Sequence, residues 1–184
     1  MFARSKVTHR GGHSAGFTMV ELMVTVGIAA ILTAVAVPSF NQLIISSRLV
    51  TQSNDLVAAI NFARSEAIKR NTNISLCRVN AVDSTTCVTG AGAWQNWIVT
   101  PGGGNVVRRG VVNTAAGGMN VQSTLTNDAL VFGAEGLARS GGVLVTNQRI
   151  SVCSTRTSTD NIRRVVLGSG SRLSTTTASG ACGP

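Results

Sequence analysis

Between Phe17 and Val37 the chain holds one acid, no base and otherwise mostly Val, Leu, Ile, Ala and Met. As a helix these 21 residues rise about 31 Å at ~1.5 Å each, close to the thickness of a bilayer core. The stretch can span a membrane, and a single carboxylate, Glu21, sits inside it. Ahead lies a short polar leader, Met1 to Gly16, with Arg4, Lys6, His9, Arg10 and His13. Basic residues before an apolar stretch hold that end in the cytoplasm, so the remainder is expected to be exported. An ordinary secretory signal would close with a small-residue cleavage site after the apolar run. Instead Pro38 and Phe40 follow, and a polar, helix-like sequence continues.

Gly16-Phe17-Thr18-Met19-Val20-Glu21 resembles the type IV prepilin signature. That resemblance implies cleavage by a dedicated prepilin peptidase after Gly16 and methylation of the new N-terminal Phe17. It also implies that the Glu21 carboxylate meets the N-terminal amine of a neighbouring subunit as helices bundle. The physics is consistent, because a lone carboxylate in hydrocarbon gains from an opposite charge or from neutralisation. Pro38 matches the family's proline, 22 residues into the processed chain, and implies a kink.

From Asn41 to Arg70 the helix continues in amphipathic form. Leu49, Leu56, Ile60, Ala63 and Ala67 recur at helical spacing with Ser53 completing the row, while Gln52, Asn54, Asn61 and Arg64 fall elsewhere. Glu66 precedes Arg70 by four, and Lys69 and Arg70 suit the negative end of the helix. Phe17 to Arg70 reads as one helix of 54 residues, roughly 80 Å long, bent at Pro38 and loosened at Gly27. The run Asn61 to Asn71, followed by Ile74-Ser75-Leu76-Cys77, is similar to minor pilins and pseudopilins of the GspH/FimT type.

After Asn71, short β-branched runs alternate with Gly, Asn, Ser and Thr. Candidate strands are 73–79, 95–100, 106–112, 119–125, 129–132, 149–154 and 162–167, forming an antiparallel sheet packed on the helix. The runs 101–105 and 140–142 read as loops, and neither has the lysine of a phosphate-binding loop. There is no internal repeat. Trp94 and Trp97, three apart, would face opposite sides of a regular strand, one against the helix and one at an edge. The fold class is therefore α+β and type IV pilin-like: leader 1–16, membrane and assembly half-helix 17–40, amphipathic half-helix 41–71, and a disulfide-stapled β-rich domain 72–184.

Cys77, Cys87, Cys153 and Cys182 all lie in the part expected to be exported. An even count in an oxidising compartment suggests bridges, with three connectivities open. Cys77 with Cys87 and Cys153 with Cys182 is favoured, closing a small loop after the helix and pinning the Ser- and Thr-rich tail. Zinc is disfavoured, since no spacing is C-x-x-C and both histidines lie in the leader. Cleavage after Gly16 leaves no His, and the chain has no Tyr. His-dependent catalysis is thereby excluded, and neither an enzyme activity, a metal nor a cofactor is expected.

Sixteen Lys and Arg, less the three in the leader, face six acids outside the apolar stretch, a formal balance of about +7 for the exported part. FimT-type relatives are associated with DNA binding through a Gly-Arg-x-Arg motif near the C-terminus. The nearest equivalent, Gly170-Ser171-Arg172-Leu173, has one arginine in place of two, leaving Arg163, Arg164 and Arg172 as the candidate DNA-binding residues. The resemblance thus implies a minor pilin at the initiating or tip complex of a type IV pilus. A type II secretion pseudopilin and a filament-borne receptor for double-stranded DNA are the alternatives. Partners are other pilins or pseudopilins, the prepilin peptidase and the bacterial inner membrane. The expected topology is single-pass, with the N-terminus cytoplasmic and the C-terminal domain periplasmic. Gly16→Val should leave the leader attached; a mature mass beginning at Phe17 in that variant would contradict the cleavage site.

Overall fold

The computed structural model describes residues 16–112, 114 and 118–183, with the backbone alone at Pro38 and Ser39. The expectations placed on the leader residues 1–15 lie outside the described residues. One helix, α1 (Met19–Arg70), is followed by ten strands: β1 (Ile74–Val79), β2 (Asn96–Thr100), β3 (Arg108–Val111), β4 (Met119–Ser123), β5 (Ala129–Phe132), β6 (Ala138–Ser140), β7 (Val143–Leu144), β8 (Gln148–Ser154), β9 (Ile162–Leu167) and β10 (Leu173–Ala178). The chain divides after Phe40 into two units.

In the first unit α1 is exposed all round: Met19, Val20, Met23, Val35 and Phe40 are each more than 60% accessible. The helical backbone runs through position 38.

In the second unit α1 becomes one-sided. Leu49, Leu56, Ala59, Ile60, Ala63 and Ala67 are buried, as is Ser53. Gln52, expected off this face, is also buried at 7% exposure, because it lies one turn from both Leu49 and Leu56. The helix ends as its sequence asks. Asn71 takes φ 50°, and the N–H groups of Asn71 and Thr72 donate back to the carbonyls of Ile68 and Ala67, a Schellman closure. Arg70 Nε donates to Glu66 at 2.6 Å, with Lys69 at 3.7 Å. The Arg70 hydrogen bond holds the Glu66 carboxyl below its usual range.

Two sheets, where one was expected, pack with the helix around the main apolar core, and Cys77, Val79 and Ile98 form a second, smaller cluster. The first runs β3-β2-β1-β5-β6-β7 and the second β10-β9-β8-β4, with every pairing antiparallel. The chain leaves the first sheet to form β4 and returns as β5. The return turn, Thr126–Asp128, puts Asn127 at φ 56° and Asp128 at φ 48°. Local propensity reads only a turn here, not a change of sheet.

The expected split of the two tryptophans fails, since both enter the same core at 0% and 3% exposure. Trp94 precedes β2 on irregular backbone and donates its N–H to the Val121 carbonyl of β4 at 2.8 Å, so strand alternation does not relate it to Trp97. Trp97 lies across Gly110 of β3, where any Cβ would collide with the indole. Arg108 caps it, with its guanidinium carbon 5.8 Å from the Trp97 ring and 5.6 Å from that of Phe62.

Asp128, fully buried, ties the crossover together. It accepts from Arg78 Nε of β1 at 2.9 Å, from Ser123 Oγ of β4 at 2.6 Å and from the Gly92 N–H at 2.7 Å. Arg78 continues to the Gly90 carbonyl at 2.9 Å. Cysteine pairs Cys77–Cys87 and Cys153–Cys182 are bridged, with Cα–Cα distances of 5.6 and 5.7 Å. Asp128→Ala would strand Arg78 without its carboxylate. It should cost about 3–5 kcal/mol in denaturant unfolding of the detergent-solubilised chain, and a loss under about 1 kcal/mol would show that the tie is dispensable.

Candidate assembly and processing site

Gly16, Phe17 and Thr18 are non-helical, and the helix begins at Met19, two residues later than the apolar run suggests. Thr18 is the reason. Its hydroxyl accepts the Glu21 N–H at 3.2 Å and its carbonyl accepts the Leu22 N–H at 3.1 Å, so Thr18 is the N-cap and Glu21 the third helical residue. Thr-x-x-Glu is the sequence form of a capping box, a signal legible in the chain that the sequence reading passed over. Glu21 also stands in the first turn, where the helix dipole favours negative charge.

Other polar groups in the apolar stretch are satisfied internally. Thr25 Oγ1 donates to the Leu22 carbonyl at 2.8 Å, and Thr33 Oγ1 lies 2.9 and 3.0 Å from those of Ala29 and Ala30. The Glu21 carboxylate differs: among the described residues it makes no hydrogen bond or ion pair. Gly16 is equally unexplained from within. A Cβ built there meets nothing within 4 Å, so the chain's own packing does not demand glycine before the helix.

The three arginines singled out for nucleic acid do not share a face. On β9, Val165 and Leu167 point into the core. Arg163 shares their side, reaching Ser46 Oγ of α1 at 3.3 Å and the Asp160 carbonyl at 2.9 Å. Arg164 points the opposite way. Arg172 is exposed beyond the turn Ser169–Ser171. Among the described residues no His, Cys, Asp and Glu cluster could hold a metal ion. An open groove of about 770 Å³ beside the Cys153–Cys182 bridge is lined by hydroxyls, amide groups and Arg156, without an acid.

An apolar N-terminal helix whose second half packs on antiparallel sheets defines a pilin-like protein. Residues 52–171 match the family model described as type II transport protein GspH, and the chain belongs to that family. Residues 12–37 match the prokaryotic N-terminal methylation motif. Among solved structures it is similar to the type IV minor pilin FimU of Pseudomonas aeruginosa. One crystal form is 19% identical with a TM-score of 0.50, covering 70% of this chain and 87% of the other; a second is 18% identical with a TM-score of 0.49, covering 70% and 92%. At that identity the likeness is one of fold. No curated protein gives a significant match.

Thr18→Val keeps the size of the side chain but removes the cap. It should weaken the first turn by about 1 kcal/mol and raise amide exchange at Val20 and Glu21 in detergent micelles; unchanged exchange would deny Thr18 that role.

Proposed function

We propose that this chain is a minor pilin, made as a prepilin and held in the inner membrane by residues 17–40 before it packs into a filament. Prepilin peptidase cuts after Gly16 and Phe17 is methylated. The methylation-motif match supports this, as does a glycine whose added Cβ would meet none of the described residues. Pro38 has no N–H for the carbonyl one turn back, and we assign to it a kink in the helix.

One observation carries the reading. In the apolar half of α1 the Thr25 and Thr33 hydroxyls return to backbone carbonyls, whereas the Glu21 carboxylate has no hydrogen bond or ion pair among the described residues. The N-terminal amine exposed by cleavage on a neighbouring subunit is a suitable complement, and pairing in a dry helix bundle is worth far more than in water. The work of the molecule is then assembly, at the initiating or tip complex of the filament.

The family model's description favours a second reading, a pseudopilin of a type II secretion system, with the same processing and helix bundling but a filament that moves substrates. Loss of surface pili or loss of protein secretion on deletion distinguishes the two. A DNA receptor has no such support, because Arg163 is engaged with the helix and does not share a face with Arg164.

Glu21→Ala should still insert and be cleaved. Its share in sheared filaments should fall at least about tenfold, the ratio that losing about 1.4 kcal/mol of pairing produces. Wild-type incorporation, measured by immunoblot against the major subunit, would remove Glu21 from assembly.

A further inference from the structure

The two sheets have four edges, and three are blunted. Beside β3, Arg109 folds over the edge to the Val82 and Ser84 carbonyls, both at 2.6 Å. β7 is only two residues long. Against β4 the Trp94 N–H bonds to Val121. β10 is different. It is six residues long, has no charge, proline or left-handed residue, and exposes Ser174 to Thr177 in succession. Among the described residues its backbone bonds only to β9, so its outward N–H and C=O groups stand open at the spacing of a polypeptide.

The face beside this edge carries a chemical preference. Ile150, Val152, Val165 and Leu167 point to the core, which leaves Ser151 and Arg164 on the outer face. The register aligns Gln122, Ser151, Arg164 and Thr176 in one row across all four strands. Ser151 is 1% exposed and its hydroxyl has no partner among the described residues; the inaccessible Nε of Arg164 has none either. None of the four strands contains Asp or Glu. The outer face thus carries the half-buried Arg164 cation, with no acid on any of the four strands to answer it.

We propose that β10 is the strand to which an extended, carboxylate-bearing segment of a neighbouring filament subunit adds, its acid meeting Arg164 on the outer face. Main-chain pairing gives the affinity and the acid sets the register. An added strand lies about 10 Å from β9, within the joint reach of an arginine and an acidic side chain over Thr176. A second copy of β10 supplies no acid, and duplex DNA cannot pair with a backbone edge. The assigned occupant is a segment of a different subunit, and a second copy is an outcome of the test.

The inference rests on the assembly reading, and the test separates the two. A photoreactive benzoylphenylalanine replaces Thr176 in the full chain, in cells whose sheared filaments are also probed for the wild-type protein. The expected result is an adduct with another pilin, mapped by mass spectrometry to a peptide containing Asp or Glu. Arg164→Glu should lower it at least about tenfold through like-charge repulsion, whereas Arg164→Lys retains it. No adduct while the wild-type chain is present in filaments, or adducts only with a second copy or with DNA, would overturn the strand addition alone. Absence of the wild-type chain from filaments would overturn the assembly reading and this proposal with it.

Discussion

A single buried carboxylate holds the architecture to one topology. The two sheets share an apolar core but no ladder of hydrogen bonds, so apolar packing alone would tolerate several ways of passing between them. Asp128 removes that freedom. Its oxygens are met by a donor from each sheet and by the N–H of Gly92, on the loop that begins at the Cys77–Cys87 bridge. Fully satisfied, such a network is specific; with one member missing it is costlier than none. A Cβ on Gly92 would sit 3.0 Å from the Arg78 guanidinium carbon, which explains a small residue there.

The helix faces a different constraint, being one element that must suit two surroundings. Through its first half the Thr25 and Thr33 hydroxyls return to backbone carbonyls, while the Glu21 carboxylate has no partner among the described residues. Through the second half Ala59, Ala63 and Ala67 keep one face low enough for strands to approach closely. The sequence changes character near Phe40, where one unit ends and the next begins.

What could be read in advance followed the strength of local signals. The long apolar run, the buried face of the helix and strands such as Ala129–Phe132 and Ile162–Leu167 carry enough apolar periodicity to be seen in one dimension. β10 does not, because Leu-Ser-Thr-Thr-Thr-Ala at an exposed edge owes its conformation to β9 and not to burial. β6 and β7 are too short to show a period, and the loop read at Ser140-Gly141-Gly142 is the turn joining them. The second sheet was invisible because its cause is a pair of left-handed residues and a long-range carboxylate contact. At the site, Gly16, Phe17 and Glu21 stood out as a motif. Thr18 was equally legible as a cap, yet in a chain read for chemistry a threonine draws little notice. Adjacent on one strand, Arg163 and Arg164 cannot share a face, but which of the two meets the helix is set by the packing of Val165 and Leu167.

The Cys153–Cys182 bridge has a mechanical consequence. It encloses a sequence separation of 29 residues, including all of β9 and β10, or roughly 100 Å of extendable contour at ~3.4 Å per residue. A load pulling on the tail bypasses that slack through the covalent link and reaches β8 in the interior directly. The outer strand pair is thus spared from peeling, and a subunit tugged along a fibre keeps its outermost ribbon intact until the central strand itself gives way.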